Sequence, residues 1–220
     1  MDARELLADV ADLGPFFALG TGEAEAGPAD PVPDRVAHIA TALGCTQRVA
    51  ASVAFQGFAA HLVSAPFAAA VLHGTVPDLT PASVWWGRSA DGGWVPRTGA
   101  TALLPADRLP GVLEELLAPL VAAVRAEAAV SGRVLWGNAA SALAAAKRLL
   151  VLQRPATAAR AATTAAAVLA HGAFAGTGEL LPPRDPDRVW TFRRRSCCLY
   201  YRVPGSGGLC DDCVLPRAPG

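Results

Sequence analysis

Neither sign of charge is in excess in this 220-residue sequence, where nineteen Lys and Arg face nineteen Asp and Glu. That balance removes the clustered basic footprint with which a general nucleic-acid binder neutralises phosphates. Histidine is sparse as well: His38, His61, His73 and His171 each read as a residue on a helix face, and no His-x-x-x-His pair occurs. No Ser/His/Asp or Cys/His constellation for nucleophilic catalysis is therefore expected. Gly20, Gly22 and Gly27 lack the spacing of a dinucleotide fingerprint, and Pro28 follows where a helix would have to open, so direct NAD(P)H binding is not expected. The N-terminal stretch Met1 to Val10 carries acids where a signal peptide needs a basic region and an apolar core, which implies a cytoplasmic protein with reduced thiols. From Val49 to Pro77 there is no Asp, Glu, Lys or Arg. Gln56, His61, Ser64, Pro66 and His73 interrupt that run, and much of the rest is Ala and Gly, so two buried helices with a break at Pro66 are expected rather than a membrane span.

What is abundant is alanine, with 48 residues, the small-side-chain bulk of a helical protein. Apolar residues recur at helical spacing over 2–13, 107–129, 131–153 and 155–174. Leu109, Val112, Leu113, Leu116, Leu117, Leu120, Val121 and Val124 form one broad stripe. Asp34 offers an N-cap for a helix ending at Gly44, and Thr46 a cap for one running to about Val63. The one β signal is a hairpin, in which Val84-Trp85-Trp86 and Trp94-Val95 flank a turn-rich spacer at 89–93. The fold class expected is mainly α, a helical body with a small β-hairpin and an irregular cysteine-rich module at the C-terminus. Pro182-Pro183 and Asp185-Pro186 mark a linker, which divides the chain into a body over 1–180 and a module over 181–220. The two parts differ in charge: residues 181–220 hold seven Arg against four Asp, whereas residues 1–60 hold three Arg against eight acids.

Four of the five cysteines, Cys197, Cys198, Cys210 and Cys213, fall in that module, and Cys45 stands alone as a small buried residue. A Cys-x-x-Cys turn aims two sulfurs at one centre, and the glycine-rich run from Pro204 to Gly208 lets the vicinal pair fold back to meet it. Four thiolates satisfy either a tetrahedral zinc ion or a 2Fe-2S cluster. A vicinal pair is unusual for structural zinc, so spacing favours the two-iron cluster, with the vicinal pair at one iron and the Cys-x-x-Cys pair at the other, while leaving zinc open.

The segment from Arg194 to Gly205, with Cys197-Cys198 at its centre, and the following Leu209 to Leu215 resemble the C-terminal 2Fe-2S domain of the ferric-siderophore reductase (FhuF-like) family. Leu135-Trp136-Gly137-Asn138-Ala139-Ala140 is similar to the Trp-Gly-Asn block that precedes that domain. The eleven residues between Cys198 and Cys210 are one more than in the family pattern, and the glycine-rich loop accommodates the extra residue. The resemblance implies a cytoplasmic 2Fe-2S protein that passes one electron to a ferric siderophore and releases ferrous iron. The four cysteines would be its cluster ligands, and a ferredoxin or flavin reductase its electron donor. Arg193, Arg194, Arg195 and Arg202 flank the ligands, where positive charge favours a more negative, reduced cluster or attracts an acidic donor or anionic chelate. Arg194, Arg195, Arg202 and Trp136 are the candidate substrate or donor contacts. Trp136 also suits core packing, and Trp190, Tyr200 and Tyr201 would wall the cluster from water. Asn138 is read as a helix cap, with a hydrogen bond toward the cluster loop as the less economical alternative. The Trp85, Trp86 and Trp94 hairpin is a candidate wall of the ligand cleft. The competing class is a non-enzymatic zinc or iron-sulfur interaction or sensor protein.

Overall fold

The computed structural model describes residues 2–22, 30–89, 92–181, 191–205 and 208–215. Most of the expected linker, and Trp190, lie outside the described residues. The chain is mainly α, with six α-helices among the described residues. Helix α1 (Ala3–Ala11) opens on a capping box in which Asp2 and Glu5 satisfy each other's backbone N–H. Helix α2 (Val32–Leu43) starts two residues before the expected cap. Asp30 accepts the Val32 N–H at 3.0 Å, and proline in the first turn carries a φ already suited to a helix. Asp34 is thereby freed from capping and instead accepts the Trp94 indole N–H at 2.8 Å and the Arg88 guanidinium at 2.9 Å, tying α2 to the hairpin. Gly44, at φ 57°, ends α2 in the left-handed conformation that glycine takes without a Cβ clash.

The expected break at Pro66 does not occur. Helix α3 (Gln47–His73) runs through it as a single 27-residue rod. An interior proline costs a helix roughly 3 kcal/mol. Eighteen residues of α3 are buried, on every face, and packing of that extent outweighs the lost backbone bond. The helix is long and apolar enough to cross a membrane, but 72% of its most apolar window is buried inside the protein. It packs along α5 (Gly132–Gln153), with α4 (Leu109–Glu127) and α6 (Ala158–Leu169) completing the layer around it. All eight apolar residues of the α4 stripe are buried, each stabilising the fold by about 1.5–3 kcal/mol. The last helix is shorter than its pattern, ending at Leu169, and Phe174 reaches the core from a separate 3-10 turn.

The hairpin expected around the tryptophans is present as β3 (Val84–Arg88) and β4 (Trp94–Thr98), with Trp86 opposite Pro96. A short β1 (Gly20–Thr21) joins β4 in parallel. Strands β2 (Thr75–Pro77) and β5 (Leu103–Pro105) form a second ladder, and β6 (Gly178–Leu180) with β7 (Phe192–Arg194) a third. This last pairing carries the chain into the cysteine segment, and Phe192 enters the main core.

Candidate metal centre

Strand β7 delivers Cys197 and Cys198 onto the seam between α3 and α5. Leu199 follows at φ 68°, the one described non-glycine residue in the left-handed region, a conformation that costs roughly 1–2 kcal/mol. Burial of its side chain against Val49 and Val203 holds it there. The strained residue turns the chain into a 3-10 turn over Tyr200–Arg202. Gly205 and Gly208, at φ 70° and 134°, then reverse its direction. A turn closed by the Cys213 N–H on the Cys210 carbonyl, at 3.1 Å, completes the Cys-x-x-Cys loop.

The five cysteines are free thiols. The sulfurs of Cys198 and Cys210 lie 3.5 Å apart, so the closest approach joins one member of each half rather than the two members of a pair. Two thiolates on one tetrahedral metal, each about 2.3 Å from it, stand about 3.8 Å apart, so this contact is close to what a shared metal requires. The Leu199 N–H donates to the Cys197 sulfur, and the Leu215 N–H to the Cys213 sulfur, each at 3.4 Å. Such N–H···S bonds stabilise thiolate and tune an iron-sulfur centre. Among the described residues no three His, Cys, Asp or Glu side chains converge as a single-ion site would need. The contact between the two sulfurs holds the Cys198 thiol down at about 6 and, together with burial, pushes Cys210 up. Burial raises Cys197.

Beneath the sulfurs lies a buried polar network. Arg194, only 1% exposed, donates through Nη2 to Asn138 Oδ1. Asn138 Nδ2 donates to the Ser52 carbonyl at 2.7 Å and to Ser52 Oγ at 2.9 Å. Ser52 Oγ in turn donates to the Cys198 carbonyl at 2.7 Å. Ser141 Oγ donates to the buried Asp212 carboxylate, inside the Cys-x-x-Cys loop. Asn138 is thus mid-helix on α5 and caps nothing. The sequence signal of Ser52 and Ser141 is faint: each is a lone hydroxyl within an apolar or alanine-rich stretch, and their partners lie 146 and 71 residues away. Gly137 explains the rest of the Trp-Gly-Asn block. A Cβ there would stand 2.3 Å from Ser196 Oγ and 3.4 Å from Arg194 Nη2, so glycine lets the cysteine segment lie this close to α5 without turning the Ser196 hydroxyl aside.

A cleft of about 510 Å³ opens beside the sulfurs, within the size range of small-molecule sites. Val53, Gly57, Ala60 and Ser64 of α3 and Ala142, Ala145, Ala146 and Leu149 of α5 form its walls. Cys198 and Cys210 border it together with Tyr200, Asp211 and Asp212, and Arg35 and Gln56 supply further polar groups. Phe16, Leu149 and Tyr200, all exposed large apolar side chains, stand among its lining residues.

Arg194, Arg195, Arg202 and Trp136 are not among the residues that line this cleft. Arg195 is exposed, 3.9 Å from Glu179, and Arg202 is exposed over the Tyr201 ring. Trp136 is half-buried and packs edge-on against Phe174, ring centroids 5.2 Å apart. The tryptophan hairpin, expected to wall the ligand cleft, lies elsewhere. Trp86 packs on Phe58 and borders a smaller hollow of about 200 Å³, and Trp94 lies under Arg88. Cys45 is half-buried against the Val49, Leu199 and Val203 cluster.

Residues 194–215 match the family model described as the FhuF 2Fe-2S C-terminal domain. No curated protein and no solved structure matches the chain. The cofactor to which this segment corresponds is a 2Fe-2S cluster, and the chemistry of its donor set fits one: four thiols, two of their sulfurs in contact and two more already accepting backbone N–H bonds.

Proposed function

We propose that this protein is a cytoplasmic one-electron reductase of ferric siderophores, with its cluster held by Cys197, Cys198, Cys210 and Cys213. The observation that carries the reading is the cleft whose lining includes the sulfur-bearing residues Cys198 and Cys210, since it lets a small chelate approach the redox centre without crossing protein. A bound 2Fe-2S cluster supplies one electron at a time, the stoichiometry that converts chelated Fe³⁺ to the weakly held Fe²⁺. The four thiolates would hold the cluster, and the Cys198 and Cys210 sulfurs, 3.5 Å apart, would be near enough to bind the same iron.

The rest of the chain positions and shields. Small side chains on α3 and α5 give the chelate room, and the apolar rim of Phe16, Leu149 and Tyr200 displaces water from its periphery. Arg35 and Gln56 supply hydrogen bonds to the chelate's oxygens. The electron transfer itself asks no proton donor or acceptor of the chain. Arg195 and Arg202, exposed beside the ligands, meet the acidic surface of a ferredoxin or flavin reductase that delivers the electron.

Anaerobically purified protein should be red-brown, should bleach on one-electron reduction, and should then release ferrous iron from a ferric siderophore to a ferrous-specific chelator. Serine in place of any of the four ligands should abolish colour and release, and Cys45→Ser should spare both. A colourless, zinc-containing preparation, or a coloured one that releases no ferrous iron from any siderophore, overturns the reading.

A further inference from the structure

The side chain of Arg194 is a buried cation without a counter-ion. It is 1% exposed, and two of its three guanidinium nitrogens, Nε and Nη1, have no hydrogen-bond partner. The third, Nη2, donates to a neutral amide oxygen on Asn138. Among the described residues it enters no ion pair, and its neighbour Asp212 touches it only through the backbone, the Arg194 N–H donating to the Asp212 carbonyl at 3.1 Å. The Asp212 carboxylate is engaged by Ser141 instead. A guanidinium cannot shed its proton to escape burial, as a lysine can, so such a charge is strongly unfavourable unless something anionic faces it.

The guanidinium is linked to the ligand loop. Asn138, which holds the guanidinium, also donates to Ser52, and Ser52 donates to the Cys198 carbonyl. The charge is therefore fixed by two side chains to the same loop that presents the ligands. Gly137 lies beside the guanidinium, its Cβ position 3.4 Å from Nη2. We propose that Arg194 is a positioning residue that serves as the fixed counter-charge of the iron-sulfur centre, so that the reduced state is favoured. The inference rests on the reading that Cys197, Cys198, Cys210 and Cys213 hold the cluster. Such a cluster is anionic in both oxidation states and gains one negative charge on reduction, so a nearby buried cation stabilises the reduced form more than the oxidised one.

The test is the midpoint potential of the loaded protein. In Arg194→Gln, with visible absorption showing a retained cluster, the potential should fall by at least about 59 mV, the one-electron equivalent of tenfold weaker stabilisation of the reduced form. Arg194→Lys, which keeps the charge but not the fork of donors, should fall by less. Arg193→Gln, which removes an exposed and solvent-screened cation one residue away, should lower the potential by far less than Arg194→Gln. If the Gln variant does not hold a cluster, wild-type protein carrying guanidino-¹⁵N arginine decides: pulsed EPR of the reduced state should show a ¹⁵N coupling that disappears in Arg194→Lys. A cluster-bearing Arg194→Gln at the wild-type potential, or wild type without the coupling, overturns the inference and leaves the ligand assignment standing. A wild-type chain that takes up no cluster overturns both.

Discussion

Gly57 lies on the cleft wall of α3, and a Cβ added there meets no atom within 4 Å. A leucine at this position therefore fills the cleft without straining the helix, and the gain in helix propensity over glycine is about 0.8–1 kcal/mol. Gly57→Leu should keep the cluster's absorption and its oxidation by hexacyanoferrate while lowering kcat/KM for ferric siderophore at least tenfold, about 1.4 kcal/mol of transition-state stabilisation. Unchanged siderophore kinetics would remove the cleft from the reaction. Single residues were legible in the sequence to unequal degrees. The four cysteines announce themselves because metal chemistry demands one residue type at short spacing. Asn138 was visible as part of a block but assigned to a cap, because its partners, Ser52 and Arg194, stand 86 and 56 residues away and only the packed fold brings them together.

At the scale of elements, periodicity located the helices and missed their ends. The α4 stripe was legible because an eight-residue apolar face has no other period that fits it. Pro66 misled because a local rule, the missing N–H, yields to all-round burial that only tertiary structure supplies. The β6–β7 ladder left no sequence signal, being three residues long on each side. It is nonetheless the element that aims the cysteine segment. Gly178 faces Arg194 in that ladder, and a Cβ there would come 2.2 Å from Phe192 Cζ and 2.7 Å from the Arg193 carbonyl. The backbone cannot yield as a flexible side chain could, and Phe192 is buried in the core. Gly178→Ala should therefore destabilise the protein by about 1–3 kcal/mol, the usual cost of overpacking, read as a lower denaturation midpoint. Gly111→Ala on α4, where a Cβ meets nothing within 4 Å, should be neutral or stabilising in the same assay.

For the whole molecule, net neutrality is a cancellation between an acidic N-terminal stretch and a basic C-terminal one, and the cysteine segment of the basic part packs on α3 and α5. Phe192, Arg194 and Cys198 are all buried there, and the Cys198 carbonyl is tied to Ser52 in the middle of the buried rod. Binding a group that only the folded chain can ligate adds its free energy to folding. Loss of the cluster should consequently be felt beyond the loop itself. Protein stripped of iron should melt at a lower temperature than loaded protein. Its backbone amides should also exchange faster at Arg194 and Arg202, which bond within and beneath the ligand loop, and at Cys213. The α1 amides held by the Asp2–Glu5 capping box, on the far side of the sequence from the cysteines, should exchange at the same rate in both forms. Equal melting temperatures and equal exchange at Arg194, Arg202 and Cys213 would mean that the loop is set by the polypeptide alone and that the cluster binds a site already made.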